Sequence, residues 1–221
     1  MIFYHGSPKE IQKITSVTNG DTGKRVYHVP GDIFLPSITT VMSIVNRDSI
    51  AEWRKSVGDE EANRISRNAS GRGTAVHTLC ENYLKNKPLD SGTRPDAVSL
   101  FKSIKKQLNL INKIQYQETG LYSTKLGVAG TVDCIAEYEG VLSVIDFKTA
   151  SKPKKEEYIE NYFMQATAYA LMYEELIGTP INQIVILIAV DGAEPQVFKK
   201  NPADYITKLV EVIEQYKKEN N

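Results

Sequence analysis

Cysteine is scarce in this 221-residue chain: there are two, Cys80 and Cys134. That is too few for a disulfide framework or a four-cysteine cluster, and neither lies in a CxxC, so an iron–sulfur cluster is not expected. Both read as small buried thiols. Long hydrophobic runs are also missing. The longest, IVILIAV at 184–190, falls far short of the ~20 residues that span a bilayer as a helix. The start MIFYHGSPKE lacks the pattern of a signal peptide. The chain is therefore expected to be soluble, cytoplasmic and without a membrane partner. There is no excess charge of either sign, with 27 Lys and Arg against 27 Asp and Glu, so an anionic partner must be drawn by a local field. GDTGKR at 20–25 lacks the spacing and the Ser or Thr of a phosphate-binding loop, so no nucleotide cofactor is expected.

What is present reads as one α/β unit. With no repeat, low-complexity stretch or linker, a single domain is expected. KRVYHVP and GDIFLPS form a hairpin turned by Pro30, Gly31 and Asp32. Helical patterns follow over roughly Thr39–Val45, Ser49–Val57 and Asp59–Asn68, ASGRG breaks them, and a new helix runs from Thr74 to about Asn86. Pro88–Pro95 reads as a loop and Asp96 to about Ile111 as another helix. GLYSTKL, GVAGTVDCIAEY and VLSVIDFKT then read as strands, a long helix covers Lys155–Ile177, IVILIAV and QVFKK are two more strands, and Pro202 opens a last helix. The sum is an α/β (α+β) core: a central mixed sheet of about four to five strands flanked by helices, one strand arriving by a helical crossover. Residues 1–70 form an N-terminal hairpin and helical extension, 71–200 the core and 201–221 a C-terminal helix.

VIDFKTASKP at 144–153 sets Asp146 and Lys148 two positions apart, on one face of a strand. A two-residue turn at Glu139 and Gly140 brings Asp133 opposite Asp146, their Cβ atoms ~5 Å apart. Two carboxylates so placed repel unless something positive lies between them or one stays protonated. A divalent cation answers that need, because Mg²⁺ is usually held by one or two carboxylates with its other positions left for water and phosphate. The plainer alternative is a surface hairpin in which Asp146 simply pairs with Lys148. On the helix GTAVHTLCENYLK, His77 and Glu81 share the margin of the apolar stripe. An imidazole and a carboxylate suit a cation, although His77 alone reads better as a hydrogen-bonded core histidine, and Glu81 reads also as a partner of Lys85. Gln165 is a polar amide on the aromatic face that carries Tyr162, Tyr169 and Tyr173, and it needs partners.

GTAVH, GTVD, DFK and QATAY, in that order and on helix, strand, strand and helix, resemble the PD-(D/E)XK nuclease superfamily, in its RecB-like exonuclease branch. PSITTV at 36–41 and RGTAVH at 72–77 are similar to the group that includes phage exonucleases and the mitochondrial genome maintenance exonuclease. The resemblance covers about Pro36 to Phe198. It departs from the superfamily's name in having Val132 before Asp133, and its second acid is Asp146 rather than Glu.

The resemblance implies a metal site of His77, Asp133, Asp146 and the main-chain carbonyl of Phe147, and Lys148 as the catalytic lysine; Glu81 is, from its residue type and place alone, a candidate to bind a second ion directly or through water. Gln165 and Tyr169 match the motif that places Lys148 and the substrate. Mg²⁺ or Mn²⁺ is the implied cofactor and DNA, preferably single-stranded with a free end, the implied partner, in replication, repair or recombination. A phage-encoded chain would act in the host cytoplasm. Arg67, Arg72 and Lys152 are candidates for backbone contacts, with Ser37, Thr39 and Thr149 as hydroxyl donors to phosphate; Ser37 reads as well as a helix cap. A double-strand exonuclease, an endonuclease and a non-catalytic DNA-binding protein on the same fold are the competing readings.

Overall fold

The structure is a computed structural model that describes residues 1–20, 23–90 and 92–220. Asp21 and Thr22 of GDTGKR and Ser91 of the Pro88–Pro95 loop lie outside the described residues. The chain opens with three antiparallel strands, β1 (Thr15–Thr18), β2 (Arg25–Val29) and β3 (Ile33–Pro36). The last two are the expected hairpin; β1 is an addition to it. Three helices follow: α1 (Ile38–Met42), α2 (Arg47–Val57) and α3 (Asp59–Leu84), then α4 (Pro95–Leu108). The central sheet holds β4 (Ile111–Ser123), β5 (Val128–Tyr138), β6 (Val141–Ala150), β7 (Gln183–Val190) and β8 (Gln196–Lys200), in that spatial order. Helix α5 (Glu160–Ile177) connects β6 to β7, and α6 (Ile206–Asn220) closes the chain.

The mixed five-stranded sheet agrees with the expected core. Every neighbouring pair is antiparallel except β6 and β7, which run parallel, as a helical crossover requires. The continuous apolar run of β7 follows from its central place. Ile184, Ile186 and Ile188 pack with Phe163 and Met172 of α5 and Leu209 of α6, while Val185, Leu187 and Ala189 pack with Leu79 of α3 and Phe101 and Ile104 of α4. A strand covered on both faces has no solvent side to mark with polar residues. A smaller core of Tyr27, Val29, Leu35 and Ala129 joins the N-terminal sheet to β5.

Two expectations need correction. ASGRG does not break the chain: α3 runs unbroken through Gly71 and Gly73, so the boundary drawn at residue 70 falls inside one helix and Thr74 is not its cap. Glycine weakens a helix by ~1 kcal/mol without removing a hydrogen bond, as proline would. Val76, Leu79, Cys80 and Leu84 anchor the C-terminal part of α3 in the core, while the stretch from Asn63 to Gly71 is exposed. The second correction is β4, which starts at Ile111, where a helix was expected to be ending, and includes 112–119, which had no assignment. Its pairing with β5 shifts register between Asn112 and Tyr116, and Lys113 and Glu118 have positive φ, so the two-residue alternation is interrupted.

Glycines 71 and 130 test this picture in opposite directions. A methyl group on Gly130 would lie 2.8 Å from the Tyr169 hydroxyl and 2.9 Å from Ile38 Cγ2, in a packed interior. Gly130→Ala is predicted to cost about 1–3 kcal/mol in urea unfolding. Gly71→Ala should stabilise by about 0.5–1 kcal/mol, as removal of a mid-helix glycine does; a loss there would argue for a break in α3.

Candidate active site

The β5–β6 hairpin has the register read from its turn. Tyr138 pairs with Val141 and Cys134 with Ile145. The ladder then stops. At the next step, where Asp133 would face Asp146, the Asp133 carboxylate accepts the Phe147 main-chain N–H at 2.8 Å through Oδ2. Strands that part here open a cleft between the two layers. Its volume is 720 Å³, and Asp133, Asp146, Lys148, His77, Gln165 and Tyr169 all line it. The four motifs thus converge on one place. Phe147 turns its ring to the α3 side, 6.2 Å from the His77 ring, and packs in the core.

Each flank supplies one part. His77 from α3 brings Nδ1 to 3.4 Å from Asp133 Oδ2. On the other flank Lys148 Nζ lies 2.5 Å from Asp146 Oδ2 and 5.2 Å from the centre of the Tyr162 ring of α5. The salt bridge offered as the plainer alternative therefore exists, inside the cleft rather than on a surface. Asp146 is 3% exposed, and its Oδ2 makes no hydrogen bond of good geometry, Lys148 meeting it as an ion pair only.

The charges respond to this enclosure. Burial and the nearby Asp133 raise the Asp146 pKa, with Lys148 opposing them. Burial acts to raise Asp133 too, but its hydrogen bond and ion pair with His77, the field of Lys148 and the Phe147 N–H outweigh it, and its pKa is lowered. Burial disfavours the charged forms of His77 and Lys148, and the carboxylates overcome it in both, so both are raised. Burial raises the pKa of the Cys134 thiol next to Asp133, and also that of the free, buried Cys80.

Sequence reasoning missed Glu118. It lies on β4 opposite Asp133, in the unassigned stretch, and its carboxylate, the His77 ring and the Asp133 carboxylate offer ligand atoms all within 4.8 Å of one another. Glu118 is exposed as a residue, but enclosure of its carboxyl and the field of Asp133 push its pKa up to about 7. The signal that could have found it is the pairing of β4, where Gln117 faces Cys134 and Thr119 faces Val132. Glu81 lines the same cleft with its carboxylate paired to Lys85.

The residues chosen for phosphate contact are dispersed. Thr39 lines the cleft, its Oγ1 3.4 Å from Arg25. Ser37 is fully buried and caps α1, accepting the Thr40 N–H at 3.2 Å. Arg72 reaches Asp191 at 3.5 Å. Thr149 Oγ1 lies near Gly73 of α3, whereas Arg67 and Lys152 are exposed outside the cleft lining. Among the described residues, no helix is long and apolar enough to cross a membrane.

The donor set fits a hard divalent cation. Carboxylate oxygens and one imidazole suit Mg²⁺ or Mn²⁺, and the buried Asp146 Oδ2 lacks a hydrogen bond that such an ion would make unnecessary.

The family model of the PD-(D/E)XK nuclease superfamily matches residues 103–219. Mitochondrial genome maintenance exonuclease 1 of Mus musculus is 24% identical over 205 residues, 83% of this chain and 60% of the relative. The proteins of that name from Xenopus tropicalis and Homo sapiens are 25% and 24% identical, each over 73% of this chain and 50% and 51% of their own lengths. The chain thus spans between half and three-fifths of the curated relatives it matches.

The titrations make a prediction for the protein in chelator. Stability from the raised His77 is fully present below the ordinary histidine pKa and is lost as pH rises through its folded value. Glu118, also raised, is more costly to ionise folded than unfolded, so rising pH erodes stability through it as well. The melting temperature should be lower at pH 8 than at pH 6, with a shallower slope in Glu118→Gln; an equal slope in that variant would refute the Glu118 contribution.

Proposed function

The chain belongs to the PD-(D/E)XK nuclease superfamily, and from that premise we propose that it is a divalent-metal-dependent DNA exonuclease acting on single-stranded or flapped DNA with a free end. One observation carries the reading. The cleft lining holds four carboxylates, Glu81, Glu118, Asp133 and Asp146, against two permanent cations, Arg25 and Lys148. A phosphodiester is repelled by such a surface until the balance is redressed, so the cleft is suited to a polyanion only with bound cations. The names of the curated relatives favour exonuclease over endonuclease.

Asp133, Asp146, His77 and the Phe147 carbonyl would hold the ion. When bound, a cation of this class polarises the scissile phosphate and lowers the pKa of water in its shell. Lys148 stays protonated, because the two carboxylates outweigh its burial. Held between Asp146 and the face of Tyr162, its ammonium is aimed at the same space as the acids and offsets charge that builds on the phosphate oxygens. Hydrolysis forms a bond from a water oxygen to phosphorus and breaks the bond to the leaving sugar oxygen, which takes up a proton. Gln165 and Tyr169 of α5 line the same cleft, Tyr169 packing against Gly130 of β5, and would place the substrate against Lys148.

Linear and covalently closed circular DNA, each single- and double-stranded, should separate the activities in Mg²⁺ and in chelator. Linear single strands are predicted to be degraded and closed circles to survive. Cleavage of circles would sink the exonuclease reading, and full activity in chelator the metal dependence. Lys148→Ala should lose about 10²–10³ in rate, on the scale of removing one electrostatic donor, while Mn²⁺ affinity holds; Asp146→Ala should lose both.

A further inference from the structure

Helix α2 carries an apolar face that the fold leaves open. Ile50, Trp53 and Val57 recur at three- and four-residue spacing, which puts them on one side of a helix. Yet α2 has no buried residue, and Ile50 is 49% exposed. Trp53, the sole tryptophan of the chain, is only half-buried. A side chain of that size gains more than most from leaving water.

Trp53 and Ile50 line a cavity of 440 Å³ whose other wall includes Tyr158. Tyr158 belongs to the short 3₁₀ turn Glu156–Tyr158 that leads into α5, and it is 66% exposed. The segment that displays this ring is nevertheless anchored on both sides. Gln196 of β8 accepts the Lys154 main-chain N–H at 2.7 Å and donates to the Lys154 carbonyl at 2.9 Å, and the residue after Tyr158, Ile159, is buried in the main core. An exposed aromatic on a fixed segment is set in place before anything binds to it, which reduces the ordering cost of binding.

The surroundings indicate what would bind. Asn46, Ile50 and Asn161 line both this cavity and the acidic cleft, so the two adjoin. A strand held in the cleft by its phosphates therefore passes the cavity. Each amide offers donors and an acceptor, as the edges of nucleobases do. Lys155 Nζ lies 5.8 Å from the centre of the Tyr158 ring, which sets a positive charge beside an aromatic face. The carboxylates that border the cavity, Glu157 and Glu160, are paired with Lys155 and Lys208.

We propose that Trp53 and Tyr158 form a stacking site for an unpaired nucleobase beside the catalytic cleft, and that this site favours single-stranded over double-stranded DNA. The proposal rests on the nuclease reading above. A base inside a duplex has both faces covered by its neighbours, whereas an unpaired base offers a face to an aromatic side chain. Phosphate contacts are common to both forms of DNA and carry no such choice.

Because Trp53 is the sole tryptophan, its emission reports the site directly. The full chain carrying Lys148→Ala, slow to cleave, is titrated in Mg²⁺ with an end-labelled oligothymidylate and with an abasic strand of equal length. Anisotropy of the label measures binding, and tryptophan emission measures the contact. Thymidylate should quench Trp53, while the abasic strand should bind about 5- to 100-fold more weakly and leave the emission unchanged. Tyr158→Ala removes an exposed side chain, so the fold should hold, and it should weaken thymidylate binding over the same range without affecting a duplex. Equal affinity and equal quenching for the two strands would overturn the stacking site, as would constant emission while thymidylate binds. A wild-type dimer that Tyr158→Ala dissociates with strand affinity unchanged would give the cavity to a second copy of the chain and also overturn it. Base-dependent quenching with no hydrolysis of any DNA by the wild type would uphold the site and overturn the nuclease reading; binding of neither strand would overturn both.

Discussion

The hydrogen bond from the Phe147 main chain to the Asp133 carboxylate organises the rest of the site. In a regular antiparallel ladder that N–H would go to a carbonyl on β5, and the acid would point away. Here the side chain takes the bond, the ladder ends at Cys134 and Ile145, and the strands part without leaving a buried donor unpaired. Two things follow from the parting: the cleft has room, and Lys148 reaches the Tyr162 ring of α5.

A second constraint is electrostatic. Four carboxylates lining one cleft repel, and burial adds to the cost of ionising Asp146. The two carboxylates favour the charged forms of Lys148 and His77, which is why the pKa values of both rise against burial. The compensation is incomplete, since Glu118 is driven up to about 7. A fold selected for stability alone would place apolar side chains here, because a partly satisfied charged network is less favourable than packed hydrocarbon. The excess negative charge is therefore best understood as capacity for cations.

Much of this was legible in the sequence because the hairpin between β5 and β6 is simple. A two-residue turn fixes the register as far as Cys134 and Ile145, so counting brought Asp133 and Asp146 to one cleft, although the ladder stops one step short of pairing them; the apolar run of β7 announced a strand covered on both sides. Gln165 was legible as a polar break in an aromatic stripe and His77 as a residue at the margin of an apolar one, whereas Tyr169 belonged to its stripe and was picked out only by the family resemblance. Where local rules weaken, the reading failed. Two glycines suggested an end to α3, but its C-terminal half is held by core residues that propensity does not count. The first half of β4 hid behind a register shift and two residues with positive φ, which interrupt the alternation that reveals a strand. Glu118 was missed for that reason.

The two ends of α3 show how the sheet and its helices divide their work. From Val76 onward the helix is tied to β5 and β6 by the core that holds Phe147, so His77 is positioned by the packing of its helix as well as by its contact with Asp133. From Asn63 to Gly71 it is exposed, and α2 has no buried residue. Elements with so little buried apolar surface open locally at small cost, whereas the acids are fixed to the most enclosed part of the sheet. Asn46 and Ile50, beside or within α2, nevertheless line the cleft. The chemistry is thus set on a rigid floor, and the approach to it is formed by helices that can yield to a chain passing over them without disturbing the distances among the acids.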